Sequence, residues 1–230
     1  LGLSEDVINV GAIKSPNTEA IYSAAGDLII CSCNTEANIE LRDAFIQAGL
    51  TPIFFDVNEF EDYLRMLKHC TEITGMTENY KKYGTDIQSS IDEQLARPDG
   101  THATVLCIRQ MGSKWYVKGS KDYMLGQMLA ELGTTNIADS DTSLTDNLSV
   151  EKIIQDDPDY VFIVPYSVDG EAGRKVVEET LFKNEAWASL RAVQEGRVIV
   201  LDYSLYGLKP NANWGKAYEV LADVLYPKTK

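Results

Sequence analysis

The sequence predicts an α/β protein of two Rossmann-like lobes with parallel sheets, joined by a single long α-helix. Three observations point there. One unit occurs twice: Pro16-Asn17-Thr18-Glu19-Ala20-Ile21 leads to Asp27-Leu28-Ile29-Ile30, and Leu148-Ser149-Val150-Glu151-Lys152-Ile153 leads to Asp159-Tyr160-Val161-Phe162-Ile163. In each copy a Glu stands eight residues before the Asp that opens an apolar run, and a second apolar run follows that ends in Asp, Phe54-Phe55-Asp56 or Val200-Leu201-Asp202. The runs show no alternation, which suits parallel strands covered on both faces. Between the copies, Thr77 to Arg97 places Tyr80, Tyr83, Ile87, Ile91 and Leu95 three or four apart on one thin stripe. A helix of that length spans roughly 30 Å, enough for a strut along two lobes. Two related lobes imply a cleft between them, where small molecules bind. The expected division is 1–76 for the first lobe, 77–97 for the linking helix and 98–230 for the second.

The elements follow in order. Ser15-Pro16 reads as an N-cap with Pro at the first helical position, and the helix ends near Gly26. Residues 27–32 form a strand. Thr35 to Ala48 is a helix closed by Gly49, and Pro52 to Val57 is the next strand. Asn58 caps a helix to about Thr71 with Phe60, Tyr63, Leu64 and Leu67 inward. Pro98-Asp99-Gly100 stops the long helix. The strand Ala103 to Ile108, a hairpin-like stretch Lys114 to Lys118, the helix Lys121 to Leu132 ending at Gly133, and a short strand Asn136 to Ala138 open the second lobe. Ser149 caps a helix, and strand 160–165, helix 171–182 and strand Arg197 to Leu201 follow. Asn211 caps the last helix, which runs to Leu225. The alternation implies right-handed βαβ crossovers. The first lobe shows two convincing strands, with Val7 to Val10 a candidate third. Because two strands are a poor core, a further unit of roughly 50–70 residues is expected before Leu1.

Composition narrows the function. With 44% hydrophobic residues, the 230-residue chain can bury a substantial core. A net charge of −14 argues against nucleic acid, which needs a basic face. No apolar run approaches the ~20 residues of a membrane helix, and the start at Leu1-Gly2-Leu3 reads as processed or truncated. Cys31, Cys33, Cys70 and Cys107 have no zinc spacing and read as reduced and mostly buried; with only His69 and His102, a three-histidine metal site is impossible. No Gly-x-Ser-x-Gly, P-loop or strand-linked Gly-x-Gly-x-x-Gly is present. Acid pairs such as Asp156-Asp157 read as solvated.

The ordered segments Pro16-Asn17-Thr18-Glu19, Glu131-Leu132-Gly133 with Asn136-Ile137-Ala138-Asp139, Pro158-Asp159-Tyr160-Val161-Phe162, Trp187-Ala188-Ser189-Leu190 with Gly196-Arg197-Val198, and Leu208-Lys209-Pro210-Asn211 with Trp214 carry a resemblance over residues 7–227. The chain resembles the class III solute-binding proteins of ABC importers, and departs from them in lacking the N-terminal part of the first lobe. The resemblance implies an extracytoplasmic monomer, periplasmic or a lipid-anchored lipoprotein. Its membrane link would run only through a removed or missing N-terminal anchor. It further implies no enzymatic activity, no intrinsic cofactor, and an iron complex as cargo, a ferric siderophore first and haem next. The partner would be an ABC permease dimer, docked by Glu19 and Glu151, one per lobe. Alternatives are a cobalamin-binding protein of the same family, or a metallocofactor-binding enzyme or a sensor on the same bilobal fold.

Ligands in parallel α/β units meet the loops at strand carboxyl ends. That selects Asn34, Arg109, Met111, Tyr166, Tyr203, Tyr206 and Lys209 as substrate-binding candidates. Arg109 could grip an anionic oxygen or form an ordinary salt bridge. The tyrosines could wall an aromatic chelator or simply pack. Trp115 and Lys118 could overhang the cleft, while Trp187 and Trp214 read as core. A carboxylate such as Glu19 or Glu151 is also favoured near any helix N-terminus by the helix dipole.

Overall fold

The computed structural model describes residues 6–24, 26–121, 123–140, 144, 148–167 and 169–227. The opening Leu1-Gly2-Leu3 lies outside the described residues, as does Asp122 of the helix expected from Lys121. The chain divides into two compact units, Leu1–Cys70 and Thr71–Lys230.

The first unit opens with a two-residue antiparallel bridge, β1 (Gly11–Ala12) with β2 (Ser15–Pro16). Residues 7–10 form no strand. Pro16 belongs to the bridge, so the helix starts later than expected: α1 (Thr18–Ser23) is capped by Asn17, whose Oδ1 accepts from the Ala20 N–H at 3.0 Å. Next come β3 (Leu28–Ser32), α2 (Glu36–Glu40), α3 (Arg42–Gln47) and β4 (Thr51–Phe55). The helix expected over 35–48 is thus two short ones broken at Leu41. Gly49 at φ +81° supplies the left-handed residue that ends α3. β3 and β4 pair in parallel from Leu28–Thr51 to Ser32–Phe55. Phe45, Phe60 and Tyr63 are buried, yet Ile30, in the middle of β3, is 55% exposed. A groove of about 390 Å³ lies against β3, lined by Val10, Pro16, Ile21, Leu28 and Phe45 among others. α4 (Phe60–Thr74) begins where the Asp62 carboxylate accepts the Asn58 and Glu59 N–H groups, at 2.8 and 3.2 Å.

The second unit opens with one helical stretch in three pieces: α5 (Glu78–Tyr80), a π-helical segment (Lys81–Thr85) and α6 (Asp86–Leu95). Its buried side includes Gly84, Ile91 and Gln94. The sheet holds β5 (Thr104–Met111), β6 (Lys114–Lys118), β7 (Thr135–Asn136), β8 (Tyr160–Val164) and β9 (Val198–Val200). Its order is β6-β5-β8-β9, with β7 beside the start of β5. β6 is antiparallel to β5; β7, β8 and β9 run parallel to their neighbours. Val105, Leu106, Cys107 and Ile108 of β5 are fully buried, as are Val161 to Val164 of β8. That is why both read as unbroken apolar runs. Burial pushes the Cys107 thiol pKa far up, so it is an inert core residue.

The helices are α7 (Met124–Glu131), α8 (Val150–Asp156), α9 (Gly170–Thr180), α10 (Arg191–Gln194), α11 (Tyr203–Tyr206) and α12 (Trp214–Leu225). Ser149 caps α8 as expected, its Oγ accepting from the Lys152 N–H at 3.4 Å. Asn211 does not cap α12; it sits at φ +50° in a 3-10 turn before it. Trp187 and Trp214 are core residues. α12 packs on α6 at Gly215, where an added Cβ would lie 2.9 Å from Ser90 Oγ. α7 crosses the loop after β6 still more closely: a Cβ on Gly126 would lie 2.4 Å from the Gly119 carbonyl oxygen.

The amino ends of β5 and β8 are locked together. The Asp159 carboxylate accepts the Thr104 N–H and hydroxyl at 2.8 and 2.9 Å, and the Asp159 N–H donates to Thr104 Oγ1 at 3.0 Å. Arg191 bridges Asp159 at 3.1 Å and Asp157 at 3.3 Å. Asp157 takes the left-handed position after α8 at φ +38° and accepts the Arg191 N–H at 2.9 Å, while Asp156 pairs with Lys152 at 3.1 Å. The acid pair expected to be solvated is therefore engaged. Partial burial pushes the Asp159 pKa up, but the Thr104 bonds and the Arg191 and Arg197 charges outweigh it, and the net shift is downward.

Two outcomes follow. Gly126→Ala forces α7 off the Gly119 backbone and should cost about 1–3 kcal/mol in urea unfolding; an unchanged midpoint would show the contact to be slack. Asp159→Ala should cost about 1–3 kcal/mol at neutral pH. Because the folded pKa lies below the unfolded one, the carboxylate's contribution is complete above the unfolded value, about 3.9, and is lost as pH falls through the folded value. Wild type and variant should therefore converge in stability as pH drops below about 4. A gap that persists unchanged in acid would refute the ionic part of the latch.

Candidate functional site

The parallel register carries β5 and β8 side by side from Val105–Tyr160 to Arg109–Val164. The residues just past that last pair leave the sheet together at its carboxyl end. Gln110 ties the two exits, its Oε1 accepting the Tyr166 N–H at 2.9 Å. β9 ends beside β8, and α11 starts at once, with the Asp202 carboxylate accepting the Ser204 N–H at 2.7 Å. The Tyr203 and Tyr166 rings meet edge to face, their centroids 5.1 Å apart.

Four of the sequence candidates gather here: Arg109, Met111, Tyr166 and Tyr203. Tyr166 is 63% exposed and Met111 49%. Tyr203 is half-buried, and Leu208 nearby in the chain is 59% exposed. Lys209 is half-buried on the same loop. Tyr206 is not a surface residue. It is 1% exposed, and its hydroxyl donates to the Ala217 carbonyl of α12 at 2.7 Å. Of the two tyrosines of α11, Tyr206 is the one that α12 covers. Burial pushes the Tyr206 hydroxyl pKa far up.

Arg109 is occupied. Its Nη2 donates to the Gly207 carbonyl at 2.7 Å, and its guanidinium carbon lies 5.3 Å from the centre of the Tyr123 ring. The salt bridge considered for it does not form among the described residues; a backbone carbonyl and an aromatic face hold it instead. Lys118 stands 5.7 Å over the Tyr116 ring, and Trp115 packs against the core. Tyr123 is not among the sequence candidates, although it follows β6 by five residues. An aromatic one residue before a helix gives no signal of what it touches.

In the first unit, Asn34 follows β3 and is exposed. Its Nδ2 donates to the Val57 carbonyl at 3.4 Å and to Asn58 Oδ1 at 3.3 Å, tying the exits of β3 and β4. His69 stacks on Phe55 and His102 Nδ1 meets the Gly133 carbonyl at 3.1 Å. His69 thus lies at the carboxyl end of β4, and His102 before the amino end of β5. Glu19 and Glu151 stand in the first turns of α1 and α8, both exposed, each behind a side-chain cap.

Comparison with known proteins places this geometry. The family described as "Periplasmic binding protein" matches residues 2–205. The Fe(3+)-citrate-binding protein YfmC of Bacillus subtilis is 26% identical over 208 residues, 88% of this chain and 62% of that protein. The chain spans about three-fifths of the length of the curated relatives it matches, 62% and 59% for two of them. An ABC transporter substrate-binding protein from Listeria monocytogenes EGD-e superposes with a TM-score of 0.76 at 21% identity, over 96% of this chain and 84% of that one. S. aureus IsdE complexed with heme gives 0.75 at 18% identity, over 96% and 85%. These two likenesses are of fold. The order of strands and helices, the paired strand exits and the match across 2–205 lead to one conclusion: the chain belongs to the periplasmic binding protein family.

Proposed function

We propose that this chain is the cargo-binding part of an ABC importer's substrate-binding protein, which takes up an iron complex and hands it to a permease dimer. The observation that carries this reading is the family match across residues 2–205. Support for iron comes from relatives whose names specify Fe(3+)-citrate binding and iron uptake, and from a heme-complexed structure of the same fold. Family membership carries an extracytoplasmic location with it. Among the described residues no helix is long and apolar enough to cross a membrane.

The mechanism is capture and hand-over, without a chemical step. Met111, Tyr166 and Tyr203 offer exposed apolar and aromatic surface to the cargo at the sheet's carboxyl end, with Lys209 on the flanking loop; Asn34 occupies the matching exit in the first unit. A ferric siderophore is the first choice and haem the second. Glu19 and Glu151 dock the permease. They hold equivalent places in two copies of one local unit, and a two-fold permease needs two equivalent anions. Both carboxylates are exposed and could face a basic partner; Asn17 and Ser149 cap their helices, and Glu151 accepts one long bond from the Ser149 hydroxyl at 3.4 Å.

Protein purified from its host should carry a visible chromophore, a broad charge-transfer band for a ferric siderophore or a Soret band for haem. A colourless protein that titrates with no iron complex would sink the reading. Glu19→Ala combined with Glu151→Ala should leave cargo affinity unchanged and abolish uptake by cells. Loss of cargo binding in that double variant would refute the docking role.

A further inference from the structure

The carboxyl end of the second unit's sheet contains a buried clamp beneath its exposed aromatics. α11 ends with carbonyl groups that have no partner in the helix. Two consecutive ones are taken by side chains from elsewhere: the Tyr206 carbonyl by the Tyr123 hydroxyl at 2.9 Å, and the Gly207 carbonyl by Arg109 Nη2 at 2.7 Å. Arg109 in turn rests on the Tyr123 ring. The Gly207 N–H returns to the Tyr203 carbonyl at 2.7 Å. Gly207 is also the seat of the Tyr203 ring, for a Cβ there would lie 2.1 Å from Tyr203 Cδ2. The chain of contact runs from Arg109 through Gly207 to Tyr203, and from Tyr203 edge-on to Tyr166.

A cation that gripped cargo would need its donors accessible. Arg109 is half-buried: Nε is sealed from solvent with no partner among the described residues and Nη2 is committed to Gly207, which leaves Nη1 as its one donor not so occupied. What is presented to solvent instead is an aromatic pair with a thioether and a leucine, Tyr166, Tyr203, Met111 and Leu208. Such a surface attracts by dispersion and ring stacking rather than by charge.

We infer that Arg109 is a positioning residue: it holds Gly207, and through it the Tyr203–Tyr166 pair, as a platform that selects an iron chelate with a flat aromatic face over a non-aromatic one. This rests on the reading of the protein as an iron-complex carrier. A porphyrin and an aryl-bearing siderophore share the required chemistry, and citrate lacks it.

Tryptophan-fluorescence titrations with hemin, hemin dimethyl ester, a ferric catecholate and ferric citrate test it. Wild type should bind hemin or the ferric catecholate, whichever is the natural class, more tightly than ferric citrate. With the aromatic chelate that binds, Tyr166→Ala, Tyr203→Ala and Arg109→Ala should each weaken binding about three- to tenfold, the worth of an aromatic contact. Arg109→Ala should add almost nothing in the Tyr203→Ala background, since it acts through that ring. If hemin binds, the loss on Arg109→Ala should be equal for hemin and its uncharged ester. Gly207→Ala displaces the Tyr203 ring without touching the guanidinium and should match Arg109→Ala; it carries the test if circular dichroism shows Arg109→Ala to be unfolded. A loss that vanishes with the ester, or that adds fully to Tyr203→Ala, would make Arg109 a charge grip and overturn the inference. Tight ferric citrate binding that ignores both tyrosines would overturn it while leaving the carrier reading intact. Failure of wild type to bind any of the four would overturn the carrier reading itself, and this inference with it.

Discussion

The reciprocal bonding of Thr104 and Asp159 governs the second unit. Strand side chains alternate, so a slip of one residue would turn every buried position outward. The Asp159 carboxylate accepts two hydrogen bonds from Thr104 and its own N–H donates back to the Thr104 hydroxyl oxygen, which fixes how β5 and β8 start. Five residue pairs later the same register decides what leaves the sheet at the other end. Arg109 stands opposite Val164, and Gln110 meets the Tyr166 amide, because Thr104 stands beside Asp159. The aromatic surface is thus set in place by a polar lock at the far end of the same two strands, through a core of fully buried side chains.

The first unit uses the same local plan with less support. Its β3–α–β4 sequence mirrors β8–α9–β9, with parallel neighbours in both cases. Among the described residues β8 has partners on both edges whereas β3 has one, and the groove beside it leaves Ile30 55% exposed. The contrast is one of coverage rather than composition, since Leu28-Ile29-Ile30-Cys31 is as apolar as Tyr160-Val161-Phe162-Ile163.

Much of this was legible in the residues. Unbroken apolar runs marked β3, β5 and β8; for β5 and β8 the reason is that strands covered on both faces have no polar face to show. Gly49, Gly100 and Gly133 marked where chain direction changes, and each adopts positive φ. Ser149 marked a helix start because its oxygen is the right length to reach an orphan N–H. Other local signals misled. Ser15-Pro16 resembles a helix start, but Pro16 is spent in an antiparallel bridge and Asn17, one residue on, provides the cap. Asn211 looked like a cap and became a left-handed turn residue. At the first place Asn17 took the cap; at the second Asn213 holds the N-cap position without a side-chain bond.

By itself, the sequence determined the alternation of strands and helices, the duplicated unit with its two glutamates, and which residues stand at the strand ends. These depend on side-chain pattern and short-range bonding, which neighbours along the chain settle. Only the tertiary structure decided what each strand-end residue does. Arg109 bonds a carbonyl 98 residues away and stacks on Tyr123, and Tyr206 is covered by α12 while Tyr203 meets Tyr166. Whether a guanidinium or a phenol faces solvent or core depends on which distant segment packs against it, and that partner is fixed by folding, not by the residue's own chemistry.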